Sequence, residues 1–226
     1  MTIQIKRGEN ARWQYTLGEE IANSITHGLG ILLAIAGLVV LVVDAAGHGD
    51  VWRIVATSIF GGSMIVLYTA STLYHSIHGQ RIRPFLRMLD HCAIFLLIAG
   101  TYTPFTLVSL RGPWGWSLFG AIWGLAVTGI VLELFLARRF RYLVVILYIV
   151  MGWVIVVATK PLLDAVAPAG LILLLAGGLC YTIGLPWYIT KRIPFGHAVW
   201  HLWVLAGTIL HFFAILLYVV PILKMP

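Results

Sequence analysis

Seven long apolar stretches constrain this chain more than any other feature. They run over 20–43, 53–76, 85–108, 115–136, 142–159, 167–189 and 196–222. A helix rises about 1.5 Å per residue and the hydrocarbon core is about 30 Å thick, so about 20 apolar residues carry a helix across it. Polar or turn-forming segments separate the stretches: Asp44–Val51, Ile77–Pro84, Ser109–Trp114, Ala137–Arg141, Lys160–Val166 and Thr190–Phe195. The fifth stretch is the shortest. The pattern predicts an all-α integral membrane protein. It is a seven-helix bundle forming one transmembrane domain over 20–222, behind a short N-terminal tail over 1–19.

Composition agrees. Of the 226 residues, 61% are hydrophobic and 10% charged, and the mean hydropathy is +0.97. A soluble domain carries roughly 25% charged residues. A soluble globule, a disordered chain and a nucleic-acid binder are excluded. The formal charge of +7 reads as orientation and contact with anionic headgroups. Cys92 and Cys180 lie inside apolar runs. They read as small packing residues rather than as a disulfide framework. The first 19 residues are polar and mixed in charge, so no cleavable leader is expected there.

Basic residues near the span ends predict the orientation. Lys6, Arg7 and Arg12 precede the first span. Arg81, Arg83 and Arg87 follow the second. Arg138, Arg139 and Arg141 follow the fourth, and Lys191 and Arg192 the sixth. The opposite side holds Arg53, Arg111, Lys160 and Lys224. The richer side is expected to be cytoplasmic, with the N-terminus inside and the C-terminus outside.

An ionisable residue inside a span is expected to be functional. His75 ends the second span, Asp90 lies near the start of the third, and His197 and His201 open the seventh. The orientation places all four, with Ser71, in one leaflet. His197 and His201 are four residues apart. On a helix that is about 40° in angle and about 6 Å in rise, so both rings reach one ion. Zinc takes imidazole nitrogens at about 2.0–2.1 Å, and a catalytic zinc keeps one position for water. His75 is the expected third ligand, with Ser71 one turn deeper on the same face. Two plainer readings compete: a hydrogen-bonded network between helices, and a proton relay. The Ser71 hydroxyl also has its own helix backbone to bond.

Glu20, Asn23 and His27 stand at i, i+3 and i+7, a polar stripe about 60° wide. Such a stripe must face the bundle, where it can support a metal site from behind. His211 lies about 15 Å beyond His201 along the last span. That is too far for the same ion, and it reads as a histidine bonding between helices. His48 and His78 read as solvated, and Glu133 as a partner of Arg138 or Arg139. The run Thr101-Tyr-Thr-Pro104 is expected to kink the third span and free a carbonyl.

With these residues in hand, the sequence resembles the hemolysin III group of the progestin and adiponectin receptor family. The resemblance runs from about Glu19 to about Val220. It begins with E-x-x-N-x-x-x-H at Glu20, Asn23 and His27, and continues with S-x-x-x-H at Ser71 and His75. Asp90 and the run Ala99-Gly-Thr-Tyr-Thr-Pro-Phe105 follow. It closes with H-x-x-x-H at His197 and His201. Each element alone is weak; together they are specific. The resemblance implies a seven-helix bundle with the N-terminus inside and a zinc held by His75, His197 and His201. Asp90 and Ser71 match positions that hold or face the zinc-bound water. Receptor members resemble lipid amide hydrolases acting on ceramide-like substrates; the link to alkaline ceramidases is one of fold and site. The long N-terminal domain of the receptors is missing here, so hormone binding gains no support.

Three functions are weighed. The first is a Zn2+-dependent intramembrane hydrolase of lipid amides, with Asp90 as general base and Ser71 as hydrogen-bond donor. The second is a non-catalytic membrane-homeostasis or sensor protein with a structural zinc. The third is a hemolysin-like permeabilising protein or transporter. A transport site should lie near the midplane, whereas the polar cluster here lies toward one face. The expected partners are membrane lipids, one of them a substrate. Nucleic acid is excluded, and no protein partner is indicated. Compactness points to a multi-pass protein of a bacterial inner membrane.

Overall fold

The computed structural model describes residues 15–136, 141–190 and 192–221. Seven helices cross it: α1 (Leu17–Gly47), α2 (Val51–Ser76), α3 (Arg83–Ser109), α4 (Pro113–Leu136), α5 (Tyr142–Ala165), α6 (Pro168–Ile189) and α7 (Gly196–Tyr218). There is no strand among the described residues. The chain is a multi-pass membrane protein. Large apolar side chains such as Leu29, Leu32, Phe135 and Ile172 point outward, while Glu20, Asn23, His75, Asp90 and His201 are buried. That inversion suits lipid outside and polar chemistry within.

Local signals set the ends. Thr16 and Glu19 form a capping box at the start of α1, which satisfies helix N–H groups that would otherwise lack partners. Asp50 caps α2. Pro84 sits in the first turn of α3, and Pro113 and Pro168 open α4 and α6. Proline is tolerated there because the N–H it lacks would have no helical partner.

Two helices depart from the expected outline. In α3 the Thr101–Pro104 run leads into a π-helical turn over Phe105–Ser109, because Pro104 cannot donate to the carbonyl one turn back. Thr101, Thr103 and Thr106 return their hydroxyls to backbone carbonyls around it. In α5 the helix does not stop at 159. It tightens into 3₁₀ turns over Val154–Ala158 and continues through Thr159–Ala165. The segment expected to be a loop is therefore mostly helical, its last turns bridged by Lys160 and Asp164 at 2.9 Å.

Helix α1 packs along α2 and also touches α7; α2 packs on α3, and α6 on α7. Contact between α5 and α6 is sparse. The thinnest seam between neighbouring helices is thus the one between α5 and α6. A cavity of about 130 Å³, open to the outside, reaches from His197 and His201 to His211 and is lined by both α5 and α6.

Candidate metal centre

The cluster forms where α1, α3 and α7 begin and α2 ends. His75 comes from the last turn of α2; His197 and His201 come from the first two turns of α7. All three are buried, and one ligating nitrogen from each lies within 4.8 Å of the others. Ligands of a tetrahedral zinc stand about 3.3 Å apart, so small side-chain rotations close the set.

The start of α7 is held by α1. Phe195, just before the helix, has φ 56, a left-handed conformation. That is strained for a bulky residue. Its N–H donates to Glu19 Oε1 at 3.0 Å, and its ring rests 3.6 Å from where a Cβ on Gly18 would stand. The turn fixes the direction in which His197 enters the bundle two residues later.

Hydrogen bonds assign the ring protons. His75 Nδ1 lies 2.7 Å from Glu20 Oε2. A carboxylate only accepts, so Nδ1 carries the proton and donates, which leaves Nε2 as a bare lone pair. That Nε2 is buried and has no hydrogen-bond partner among the described residues. Glu20 is held in turn by the Arg83 guanidinium. His201 Nδ1 lies 3.2 Å from the Asn23 carbonyl and 3.1 Å from Thr26 Oγ1. Thr26 gives its own proton to the carbonyls of Ala22 and Asn23. His201 Nδ1 is therefore also a donor, and its Nε2 is the acceptor. Helix α1 thus leaves Nε2 as the free lone pair on both rings. Carboxylate and carbonyl partners behind metal-bound histidines work in this way. The donor set and its tautomers fit a zinc ion.

Asn23 Nδ2 stands 3.4 Å from His75 Nδ1, donor facing donor, while Asn23 Oδ1 has no partner. Exchanging the amide's oxygen and nitrogen removes the donor–donor contact and gives His75 a second acceptor. His27 is not among the three histidines whose nitrogens lie within 4.8 Å of one another. Its ring stacks on His201 with centroids 3.5 Å apart and planes 9° from parallel, and meets Tyr68 edge-on. Asp90 and Ser71 line the cavity beside His197 and His201. Ser71 Oγ lies close to the Asp90 carboxyl without a well-directed bond.

Three residues of the site escaped the sequence reading. Tyr15, before α1, stacks on His197 with centroids 5.0 Å apart and lies 5.7 Å from His75. Burial pushes its hydroxyl above the ordinary phenol range, so it is a neutral cover. Arg83 was counted only as an orientation charge, and Thr26 precedes a more conspicuous histidine. No spacing rule marks any of them, because each acts through another helix. Glu133 bonds His91 at 2.9 Å, while Arg138 and Arg139 lie outside the described residues. His211 does bond between helices, its Nε2 donating to the Leu174 carbonyl of α6 at 3.0 Å.

Comparison with known families decides the kinship. The model of the family described as haemolysin-III related matches residues 15–212. The chain belongs to this family. It is 49% identical over 203 residues to Hemolysin-3 of Bacillus cereus, covering 90% of this chain and 93% of that one. It is 48% identical over 208 residues to a Hemolysin-3 homolog of Bacillus subtilis strain 168, covering 92% and 98%. Over 216 residues it is 29% identical to the human monocyte to macrophage differentiation factor, covering 91% and 87%. The resemblance to the hemolysin III group is borne out. The matched region contains every residue of the histidine cluster described above, from Tyr15 to His201.

Proposed function

We propose that this haemolysin-III protein is a zinc-dependent intramembrane hydrolase of lipid amides. One observation carries the reading: three histidines cluster, two of them held by α1 through Nδ1 so that Nε2 is free, beside Asp90 and Ser71 in a largely apolar cavity. His75, His197 and His201 would hold the zinc. When bound, it supplies Lewis-acid polarisation and a water that ionises near neutral pH. Asp90 accepts a proton from the attacking water and passes it to the departing amine nitrogen. Ser71 donates a hydrogen bond to the oxygen that gains charge. The apolar cavity wall takes the acyl chain, and the sparse α5–α6 contact gives a lipid its way in. Trp153 Nε1 donates to Thr182 Oγ1 at 3.2 Å across that boundary. On this reading the bundle lies in a bacterial inner membrane, with its N-terminus and metal centre toward the cytoplasm, as the distribution of Lys and Arg argues.

A second reading rests on Asp90 lining the same cavity as His197 and His201. A carboxylate there can serve as a fourth ligand, which would make the metal structural. The two readings separate on purified protein. Elemental mass spectrometry is run on wild type, His75→Ala, His197→Ala and His201→Ala, and release of fatty acid from a ceramide-type amide on wild type and Asp90→Ala. The hydrolase reading expects about one zinc per wild-type chain, lost in each histidine variant, and Asp90→Ala that keeps zinc and loses turnover. Zinc-loaded wild type inert to lipid amides would favour the structural role. Metal-free wild type that stays so after zinc addition would end both.

A further inference from the structure

The cavity has a second polar end that the proposed chemistry does not use. His211, on α7, lines it together with Tyr181 of α6. Ten residues separate His211 from His201, about 15 Å along the helix. Its side is set by the same kind of argument as at the metal centre. The Leu174 carbonyl only accepts, so His211 Nε2 carries the proton and Nδ1 is a bare lone pair. His211 is 6% exposed, and this Nδ1 has no partner among the described residues. The ring lies so close to α6 that a Cβ on Gly177 would run into it. The ring is therefore held in this pose, with Nδ1 on the edge turned away from Gly177.

None of the described hydroxyls donates to this Nδ1, and the Tyr68 hydroxyl, beside Thr208, is not within bonding distance of it. Thr208 Oγ1 gives its proton to the Val204 carbonyl at 2.9 Å. Tyr181 Oη lies 2.7 Å from Thr208 Oγ1. With the Thr208 proton already used, Tyr181 donates to Thr208 and keeps only acceptor lone pairs. His211 Nδ1 is thus an acceptor without a donor at this end of the cavity. A buried acceptor left without a donor is unfavourable. The missing partner is a hydrogen-bond donor.

We infer that this end is a subsite for a hydroxyl carried on a long-chain ligand, about 15 Å from the histidine cluster. The inference rests on the cavity holding a lipid chain, as in the proposed hydrolase. It adds that the cavity reads a chain at its far end as well as at its head. A plain hydrocarbon end would strand His211 Nδ1; a hydroxyl would satisfy it.

The test uses full-length protein in nanodiscs. Binding of straight-chain fatty acids is compared with that of the same acids bearing a terminal hydroxyl, over a series of chain lengths, by microscale thermophoresis. One net hydrogen bond gives about five-fold tighter binding. Wild type is expected to prefer the hydroxylated acid by about that factor at one narrow range of lengths. His211→Phe is expected to bind the plain acid within about two-fold of wild type and to lose the preference. Equal binding of both acids at every length in wild type would overturn the subsite and leave the lipid cavity standing; water alone would then serve His211. Binding of neither acid would overturn the lipid cavity and the subsite with it. Should His211→Phe fail to fold, the length dependence in wild type decides alone.

Discussion

Glu20 Oε2 lies 2.7 Å from His75 Nδ1, and this contact chooses which nitrogen of His75 faces the cluster. Without the carboxylate the ring could equally present Nδ1–H to the cavity or turn away. Partners of this kind typically contribute 10–100-fold in metal affinity. Glu20→Leu is expected to weaken zinc binding by about that factor, with Glu20→Gln between it and wild type because its carbonyl still accepts. Competition against a zinc chelator measures it. Unchanged affinity in both variants would show that Glu20 serves only Arg83.

His27 makes a sharper distinction. Its ring stacks on His201 at 3.5 Å but is not one of the three clustered histidines. His27→Phe preserves the stack and is expected to keep about one zinc per chain, whereas His201→Phe is expected to lose it. Elemental analysis of the two proteins, purified side by side, tells them apart. Loss of metal in His27→Phe would make His27 a ligand.

The sequence carried the seven spans because apolar length is a local property, readable residue by residue. It carried the histidine cluster for a related reason: His197 and His201 share a helix face, and orientation brings His75 to the same end. The roles of α1 were only partly readable. The period of Glu20, Asn23 and His27 says that they face inward, but not that Glu20 orients His75 while His27 only stacks. Nothing local foretold Arg83 on Glu20 or Glu133 on His91, since both pairs join different helices. The long α5 was misjudged because Lys160 and Asp164 look like a loop in sequence; as an i,i+4 pair on an exposed face they instead extend the helix.

Tyr15 covers the centre from the end where α1 begins, stacked on His197 and near His75. Removing its ring opens a path for water and small reagents. Tyr15→Ala is expected to speed carbethoxylation of His197 by diethylpyrocarbonate several-fold, followed by peptide mass mapping, with Tyr15→Phe close to wild type. An equal rate in Tyr15→Ala and wild type would mean that the centre is reached by another route.

The α3–α4 contact explains how Asp90 keeps its place. A Cβ on Gly129 would run into the ring of Phe95, which is fully buried. Each lies one turn from the paired residues His91 and Glu133. Gly120 and Gly124, on the exposed side of α4, have open space around the same position. Overpacking a tight core contact costs about 1–3 kcal/mol, while alanine in place of glycine favours an exposed helix by about 1 kcal/mol. Gly129→Val is therefore expected to lower the thermal midpoint in detergent by several degrees, and Gly120→Ala and Gly124→Ala to hold or raise it. Because the wedge would part α3 from α4 beside Asp90, Gly129→Val is also expected to lose more lipid-amide turnover than its remaining folded fraction accounts for. A midpoint unchanged by Gly129→Val would mean that Phe95 has room to move and that α4 does not fix α3.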